Sequence, residues 1–455
     1  MELGLYARDG STIEGGDASV VCLPLDTAEV QACVATARRH GRPIVTRGSG
    51  TGLAGGAVPE SGSVMVVTAK MNRLLAVDLD DRVAWVQPGV LNLDLTRHLT
   101  PLGFHFAPDP SSQQSCTIGG NVSTNAGGPH CLSEGVTSAH VVAVEVVLPD
   151  GEVVMLGGAE PEPAGLDLRG AFVGGEGTLG IATGVAVRIT PNPPAVRTLL
   201  ADFSRVADGA ATVGAVIAAG IVPAAMEMMD RRITEAVEAF VHAGFPTDAA
   251  AVLIVEVDGL PAYVADAADR VAVIAQSYGA RSVRIAADAT ERALIWKGRK
   301  SAFGAIARVK PNYYLHDTVV PRSKLVSLLA QVYEIAERYD LIVMNVFHAG
   351  DGNLHPLIVY DRREPGMVAR VHAAGDEIVR ASVAAGGVLS GEHGIGLEKR
   401  DLMPLMFSAI DLSFQRRLRC AFDPDGVANP TKVLPGGASC AEVARLGSAP
   451  EGTWI

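Results

Sequence analysis

The sequence predicts an α+β protein of two domains followed by a C-terminal segment. Three observations point there. Strand-like runs alternate with glycine-rich loops over roughly the first 190 residues. Pro191, Pro193 and Pro194 then break the chain. Beyond them, long helical patterns are interleaved with apolar strand runs, the texture of an antiparallel sheet covered by helices. At 455 residues the chain also exceeds what one hydrophobic core serves.

The elements follow in order. Residues 20–23 read as a strand. Residues 27–40 carry apolar positions at helical spacing, opened by Asp26 and stopped by Gly41. Strands are predicted at 43–46, 63–67, 75–78 and 82–86, and a second helix at 91–102. Residues 141–148, an Asp150-Gly151 turn and residues 152–156 have the pattern of a hairpin. After the proline break, helices are predicted at 207–219, 230–243, 261–278, 288–306, 321–339 and 365–385. The strands between them are 251–257, 282–286, 342–347 and 354–360. A last helix at 411–422 leads into residues 429–434, and the small, polar tail after Gly436 is expected to fray. The divisions drawn from this are 1–195, 196–422 and 423–455.

Composition excludes several functions. A net charge of −12 argues against nucleic acid and against adhesion to an anionic membrane surface. Cys22, Cys33, Cys116, Cys131, Cys420 and Cys440 are scattered, with no C-x-x-C pair. The expectation is free thiols in a reducing, cytoplasmic setting, with no iron–sulfur or zinc-ribbon site. The opening MELGLYARDG lacks a basic start and apolar run, so no signal peptide is expected, and no apolar stretch is long enough for a membrane span.

Three glycine loops carry the cofactor chemistry. The first, Thr46-Arg47-Gly48-Ser49-Gly50-Thr51-Gly52-Leu53-Ala54-Gly55-Gly56, follows a strand, and Gly50, Gly52 and Gly55 satisfy G-x-G-x-x-G. Asp78 even stands where a ribose-binding acid could. A Rossmann loop must open a helix facing the pyrophosphate. Here residues 57–63, with Pro59 and Gly62, leave no room for one before the next strand. Consecutive backbone N–H groups can still form an anion-binding concavity without a helix. The second loop, SCTIGGNVSTNAGG from Ser115, and the third, GGEGTLGI from Gly174, add hydroxyls, amides and bare backbone suited to a long polar cofactor.

A metal site is suggested further along. His348-Ala349-Gly350-Asp351-Gly352-Asn353-Leu354-His355 sets two imidazoles at the ends of a turn flanked by strands, so a reversal would bring the rings together. Imidazole suits zinc, manganese or iron. Glu392-His393, between glycines in SGEHGIG, supplies a carboxylate. Neighbours in an extended chain point to opposite sides, so one of the pair can face the metal and the other the substrate. Two histidines and one carboxylate leave coordination positions open, as in catalytic sites. A hydroxyl-bearing substrate can fill the opening. Bound metal lowers the hydroxyl pKa, and a neutral histidine is matched to take the proton. His40, His98, His105, His130, His140, His242 and His372 are read as hydrogen-bonded core or surface residues.

These motifs carry a resemblance. The first loop, Pro108-Asp109-Pro110, SCTIGGNVSTNAGG and GGEGTLGI resemble the PCMH-type FAD domain of vanillyl-alcohol-oxidase-like flavoproteins. FHAGDGNLHP, SGEHGIG and NPTKVLP narrow it to the D-lactate dehydrogenase, D-2-hydroxyglutarate dehydrogenase and glycolate oxidase large-subunit group, over about residues 17–435. The resemblance implies FAD bound by Arg47, Gly48, Ser49, Gly50, Thr51, Gly52, Pro108, Ser115, Thr117, Gly119, Gly120, Ser123, Asn125, Glu176, Gly180, Ile181 and Asn429. The first loop has no His or Cys to tether it, so noncovalent binding is implied. It implies a divalent metal, zinc or manganese, on His348, His355 and Glu392, with His393 as the base. It also implies that Arg299 clamps the substrate carboxylate, a role its planar fork suits. Tyr313, Tyr314 and His316 are expected near the pocket. Where the hydroxyglutarate enzymes place polar groups, this chain has Leu315 and Leu357, which favours lactate or glycolate. The implied partners are an electron acceptor and, as in glycolate oxidases, companion flavin and iron–sulfur subunits, through which the chain would be peripheral at a membrane. The alternatives are a D-2-hydroxyglutarate dehydrogenase, a catalytically silent FAD subunit, or a zinc-stabilised binding protein.

Overall fold

The computed structural model describes residues 3–158, 165–436 and 440. They divide into two compact units, the first from Met1–Gly127, Val136–Asn192 and Glu392–Ile455, the second from Gly128–Gly135 and Pro193–Gly391. The division at residue 193 coincides with the proline break. The second unit ends at Gly391, ahead of residue 422, and recruits residues 128–135 from the first stretch. The recruitment has a packing cause. Leu132 lies against the second unit's core, and the Ser133 hydroxyl donates to the Ala224 carbonyl at 3.2 Å.

The first unit holds a three-stranded parallel sheet in the order Val20–Cys22, Val64–Val67, Ile44–Arg47. Helix Thr27–Arg39 supplies the crossover. The Asp26 side chain caps it, and its Val30, Val34 and Ala37 share a core with Ile44, Val64 and Val66. A five-stranded antiparallel sheet follows: Leu74–Asp78, Val83–Val86, Ile181–Arg188, Val141–Val147, Val153–Gly157. The expected hairpin is its last pair. Helix Ala409–Phe422 also belongs here, because Arg419 donates to the carbonyls of Ala428, Asn429 and Lys432. The chain thereby returns to the parallel sheet, where the Asn429 amide donates to the Ile44 carbonyl at 2.7 Å. One expectation is corrected. Cys420 and Cys440 form a disulfide, since Cys440 lies beside the end of the helix carrying Cys420; the other four cysteines are free.

The second unit is built on one antiparallel sheet ordered Ala280–Ile285, Ala195–Phe203, Ala251–Gly259, Ala225–Asp230, Ile342–His348, Asn353–Leu354, Thr318–Val319. Pro356–Tyr360 pairs with Ile342–His348 and with Asn312–Leu315. The two faces differ. Leu199, Ala201, Phe203, Met226, Met228, Leu253, Val255 and Phe347 pack against residues of helices Val206–Ala218, Pro261–Ser277, Leu325–Arg338 and Met367–Ala384 in a large apolar core. Glu227, Glu256 and His348 alternate with these positions and so point from the other face, although all three are buried. Strands Ala195–Phe203, Ala225–Asp230 and Ile181–Arg188 were not read from the sequence.

Candidate active site

In the first unit the glycine loops converge. Among the described residues, none of the backbone N–H groups of residues 48–56 donates to a protein acceptor. The glycines here are required. A Cβ on Gly48 would lie 2.4 Å from the Thr117 hydroxyl, and Gly50, at φ +77°, would drive one into the Arg47 guanidinium. The second loop is partly helical, contrary to the reading as open loop. Thr117 caps helix Ile118–Thr124 through the Gly120 amide at 3.2 Å. The Ser49 hydroxyl meets the Ser115 carbonyl, and the Glu176 amide donates to the Ser123 carbonyl at 2.8 Å. Asn125 takes a left-handed φ of 51°. Asn429 ties first and third loops, its side-chain amide donating to the carbonyls of Gly56 and Glu176 at 2.9 and 2.8 Å. A row of bare amide donors fits the pyrophosphate of FAD. Pro108, Gly180 and Ile181 also make contacts within the protein. The Pro108 carbonyl accepts from Asn92, Ile181 packs in the core with Val147, and Gly180 packs beside Val146.

The Glu176 carboxylate reaches the stretch from Glu392 to Gly396 of the same unit. It accepts from the amides of Ile395 and Gly396 at 2.6 and 2.8 Å. Burial pushes it up to about 7, against the opposing pull of those amides and of Lys399 and Lys432. Glu392 and His393 open this segment. The expectation that they point to opposite sides is corrected: His393 Nε2 lies 3.8 Å from Glu392 Oε1. The chain bends there instead of running extended, with Gly394 at φ +89°.

In the second unit the turn between His348 and His355 brings the two imidazoles together, ring centroids 5.0 Å apart and perpendicular, both buried. His348 pairs with Asn353 across the reversal. Gly352 is needed, because at φ +74° a Cβ would lie 2.2 Å from the Val320 carbonyl oxygen. Asp317 was missed. Its carboxylate lies 4.0 Å from His355 Nδ1 and accepts from the Ser390 hydroxyl and Gly391 amide at 2.6 and 2.9 Å. It thus anchors the residue that precedes Glu392. The paired imidazoles suit a borderline divalent cation such as zinc or manganese.

Arg299 is wholly buried. Helix Ala289–Lys300 turns Arg292, Trp296 and Arg299 to one face, the i, i+4, i+7 spacing of adjacent turns. Arg292 and Trp296 donate to Glu256, and Arg299 Nε donates to Glu227 Oε2 at 2.7 Å. Arg299 Nη1 has no hydrogen-bond partner among the described residues. Glu227 was also missed, lying in AMEMMD, a run without β-branched residues. A lone carboxylate inside an apolar run was the available signal. Tyr314 stacks on His372, 5.0 Å between centroids, and meets His316 edge-on at 4.4 Å. Leu315 and Leu357 are buried partners on paired strands.

A parallel–antiparallel nucleotide unit with a row of amides that donate to no protein acceptor among the described residues, joined to a sheet unit carrying buried histidines, is the architecture of an FAD-dependent oxidoreductase. The family described as "FAD binding domain" matches residues 18–157, and "FAD linked oxidases, C-terminal domain" matches residues 192–433. The chain belongs to the FAD-linked oxidases. It is 44% identical to the glycolate oxidase subunit GlcD of Escherichia coli strain K12, over 96% of this chain and 88% of that one. It is 32% identical to a D-lactate dehydrogenase of Anaerostipes hadrus, over 90% and 87%. Its fold is similar to that of p-cresol methylhydroxylase, with a TM-score of 0.79 at 18% identity, covering 95% and 92% of the chains. Among the described residues no helix is long and apolar enough to cross a membrane.

Proposed function

We propose that the protein oxidises a small 2-hydroxy acid, glycolate or D-lactate, to the 2-oxo acid with the help of a divalent metal. The observation that carries this reading is the buried His348–His355 pair in the unit that also buries Arg299, whose Nη1 and Nη2 have no hydrogen-bond partner among the described residues, Nη2 being ion-paired with Glu227. Relatives named glycolate oxidase and D-lactate dehydrogenase support the substrate class. In this reading His348, His355 and Glu392 hold the metal, Arg299 binds the substrate carboxylate and His393 takes the hydroxyl proton. FAD, held noncovalently on the amides of residues 48–56, supplies the hydride acceptor. A metal on the His348–His355 pair supplies Lewis acidity toward the substrate hydroxyl. Leu315 and Leu357 leave a second carboxylate unpaired, which disfavours 2-hydroxyglutarate. The likeness to a protein named a glycolate oxidase subunit supports companion subunits; in this reading they accept the electrons and hold the chain at the periphery of a membrane.

The test is anaerobic mixing with glycolate, D-lactate, L-lactate and D-2-hydroxyglutarate while flavin absorbance is followed. Bleaching by glycolate or D-lactate ahead of the others is expected. No bleaching by any of the four refutes the reading, and a clear preference for D-2-hydroxyglutarate refutes the monocarboxylate assignment.

A further inference from the structure

We propose that Glu227 is a positioning residue for this reaction: one buried carboxylate that sets both the metal-facing nitrogen of His348 and the orientation of Arg299. The inference rests on the reading of His348 as a metal ligand and Arg299 as the carboxylate clamp.

Glu227 and His348 are direct cross-strand partners, so their side chains leave the sheet together on the same face. Glu227 Oε1 lies 2.7 Å from His348 Nδ1. A carboxylate there accepts a hydrogen bond from Nδ1–H and so keeps the lone pair on Nε2, the nitrogen that would face a cation. The other oxygen is committed elsewhere. Oε2 receives Arg299 Nε at 2.7 Å, with Nη2 at 2.5 Å. This fixes one edge of the guanidinium and leaves Nη1 for an incoming anion. A wholly buried carboxylate needs such compensation to be tolerated.

The neighbouring strand offers a contrast. Glu256 is equally buried but is saturated by Thr198, Arg292 and Trp296, none of them a proposed site residue. Glu256 ties helix Ala289–Lys300 to the sheet. Glu227 gives each oxygen to a different functional side chain, and so places ligand and clamp in one frame.

The test uses the FAD-loaded enzyme and its Glu227→Gln and Glu227→Asp variants. Zinc and manganese affinities are measured by competition with a chromophoric chelator, and KM and kcat for glycolate and D-lactate at saturating cation. Bound flavin and thermal midpoint serve as folding controls. Glu227→Gln is expected to weaken cation binding about 10–100-fold, as loss of an outer-shell partner does. It should also raise KM about tenfold with kcat changed less than about threefold, because proton transfer is left to another residue. Glu227→Asp keeps the charge but is one methylene too short to reach both partners, so it should restore only one of the two properties. A folded, flavin-loaded Glu227→Gln with wild-type cation affinity and KM overturns the proposal. If Glu227→Gln does not fold, Glu227→Asp decides, and wild-type values for both properties overturn it. A wild-type enzyme that binds no cation removes the functional reading and this inference together. Cation binding unchanged between wild type and variant removes only the role of Glu227.

Discussion

His393 and Glu392 stand side by side at the start of one glycine-flanked bend, and substitution separates their roles. A carboxylate suits a hard divalent cation and is a poor base near neutrality, whereas a neutral imidazole is a good one. His393→Ala is therefore expected to keep its metal and lose about 10²–10⁴-fold in flavin reduction rate. Glu392→Ala is expected to lose metal occupancy. Metal analysis beside stopped-flow reduction checks both, and the reverse pattern would swap the assignments. Arg299 needs a gentler probe, because Arg299→Ala strands buried Glu227 without its cation and endangers the fold. Arg299→Lys keeps the charge but not the fork. It should raise KM for every 2-hydroxy acid together by about tenfold, a loss of roughly 1.4 kcal/mol, with their rank order unchanged. Unchanged KM values would return Arg299 to a purely structural role with Glu227. At this scale the sequence exposed the residues that sit in glycine-bounded motifs, such as His348 and Glu392. It concealed Glu227 and Asp317, whose partners lie far away in the chain.

At the scale of elements, the SGEHGIG bend is held by Glu176, and that contact predicts a pH dependence. The ordinary glutamate value is 4.5, and in the folded protein Glu176 rises to about 7. Between those values the folded chain keeps a proton that the unfolded chain has released, so stability falls as pH rises through this window. The loss is at most about 3 kcal/mol, at roughly 1.4 kcal/mol per pH unit. Glu176→Gln cannot titrate, so its melting temperature should fall less between pH 5 and pH 7 than that of the wild type. Equal slopes in the two proteins would show that Glu176 does not titrate in this range. Elements differed in how legible they were. Helix Thr27–Arg39 declares itself through Asp26, helical spacing and a following glycine, and the Val141–Val147 hairpin through its Asp-Gly turn. Strand Ala225–Asp230 does not, because Ala, Met, Glu and Asp are weak strand formers. It is a strand because it lies between two others, pairing along its whole length with one and through Glu227–Met229 with the other. The helix Ile118–Thr124 was hidden by its two glycines, and only the Thr117 cap marks it.

At the scale of the whole molecule, the compact units part at residue 193, beside Pro191, Pro193 and Pro194, and then exchange short segments. Residues 128–135 go over to the second unit and residues from Glu392 come back to the first. Such exchanges depend on packing by short pieces like Leu132, which carry no periodicity. The division has a chemical consequence. The amide row proposed for the flavin lies wholly in one unit and the imidazole pair in the other. Removal of the metal therefore takes away no group that holds the flavin. A chelator such as EDTA is expected to abolish substrate-driven bleaching while the flavin spectrum and the protein-bound FAD stay unchanged, and added zinc or manganese should restore the rate. His348→Ala and His355→Ala should copy the chelated enzyme and resist rescue. Acid precipitation should release the FAD in every case, since the first loop offers no His or Cys to tether it. Two outcomes would count against this arrangement. Full activity in demonstrably metal-free enzyme would remove the metal from the mechanism. Loss of FAD on chelation would mean that the two sites depend on each other for more than the transfer of a hydride.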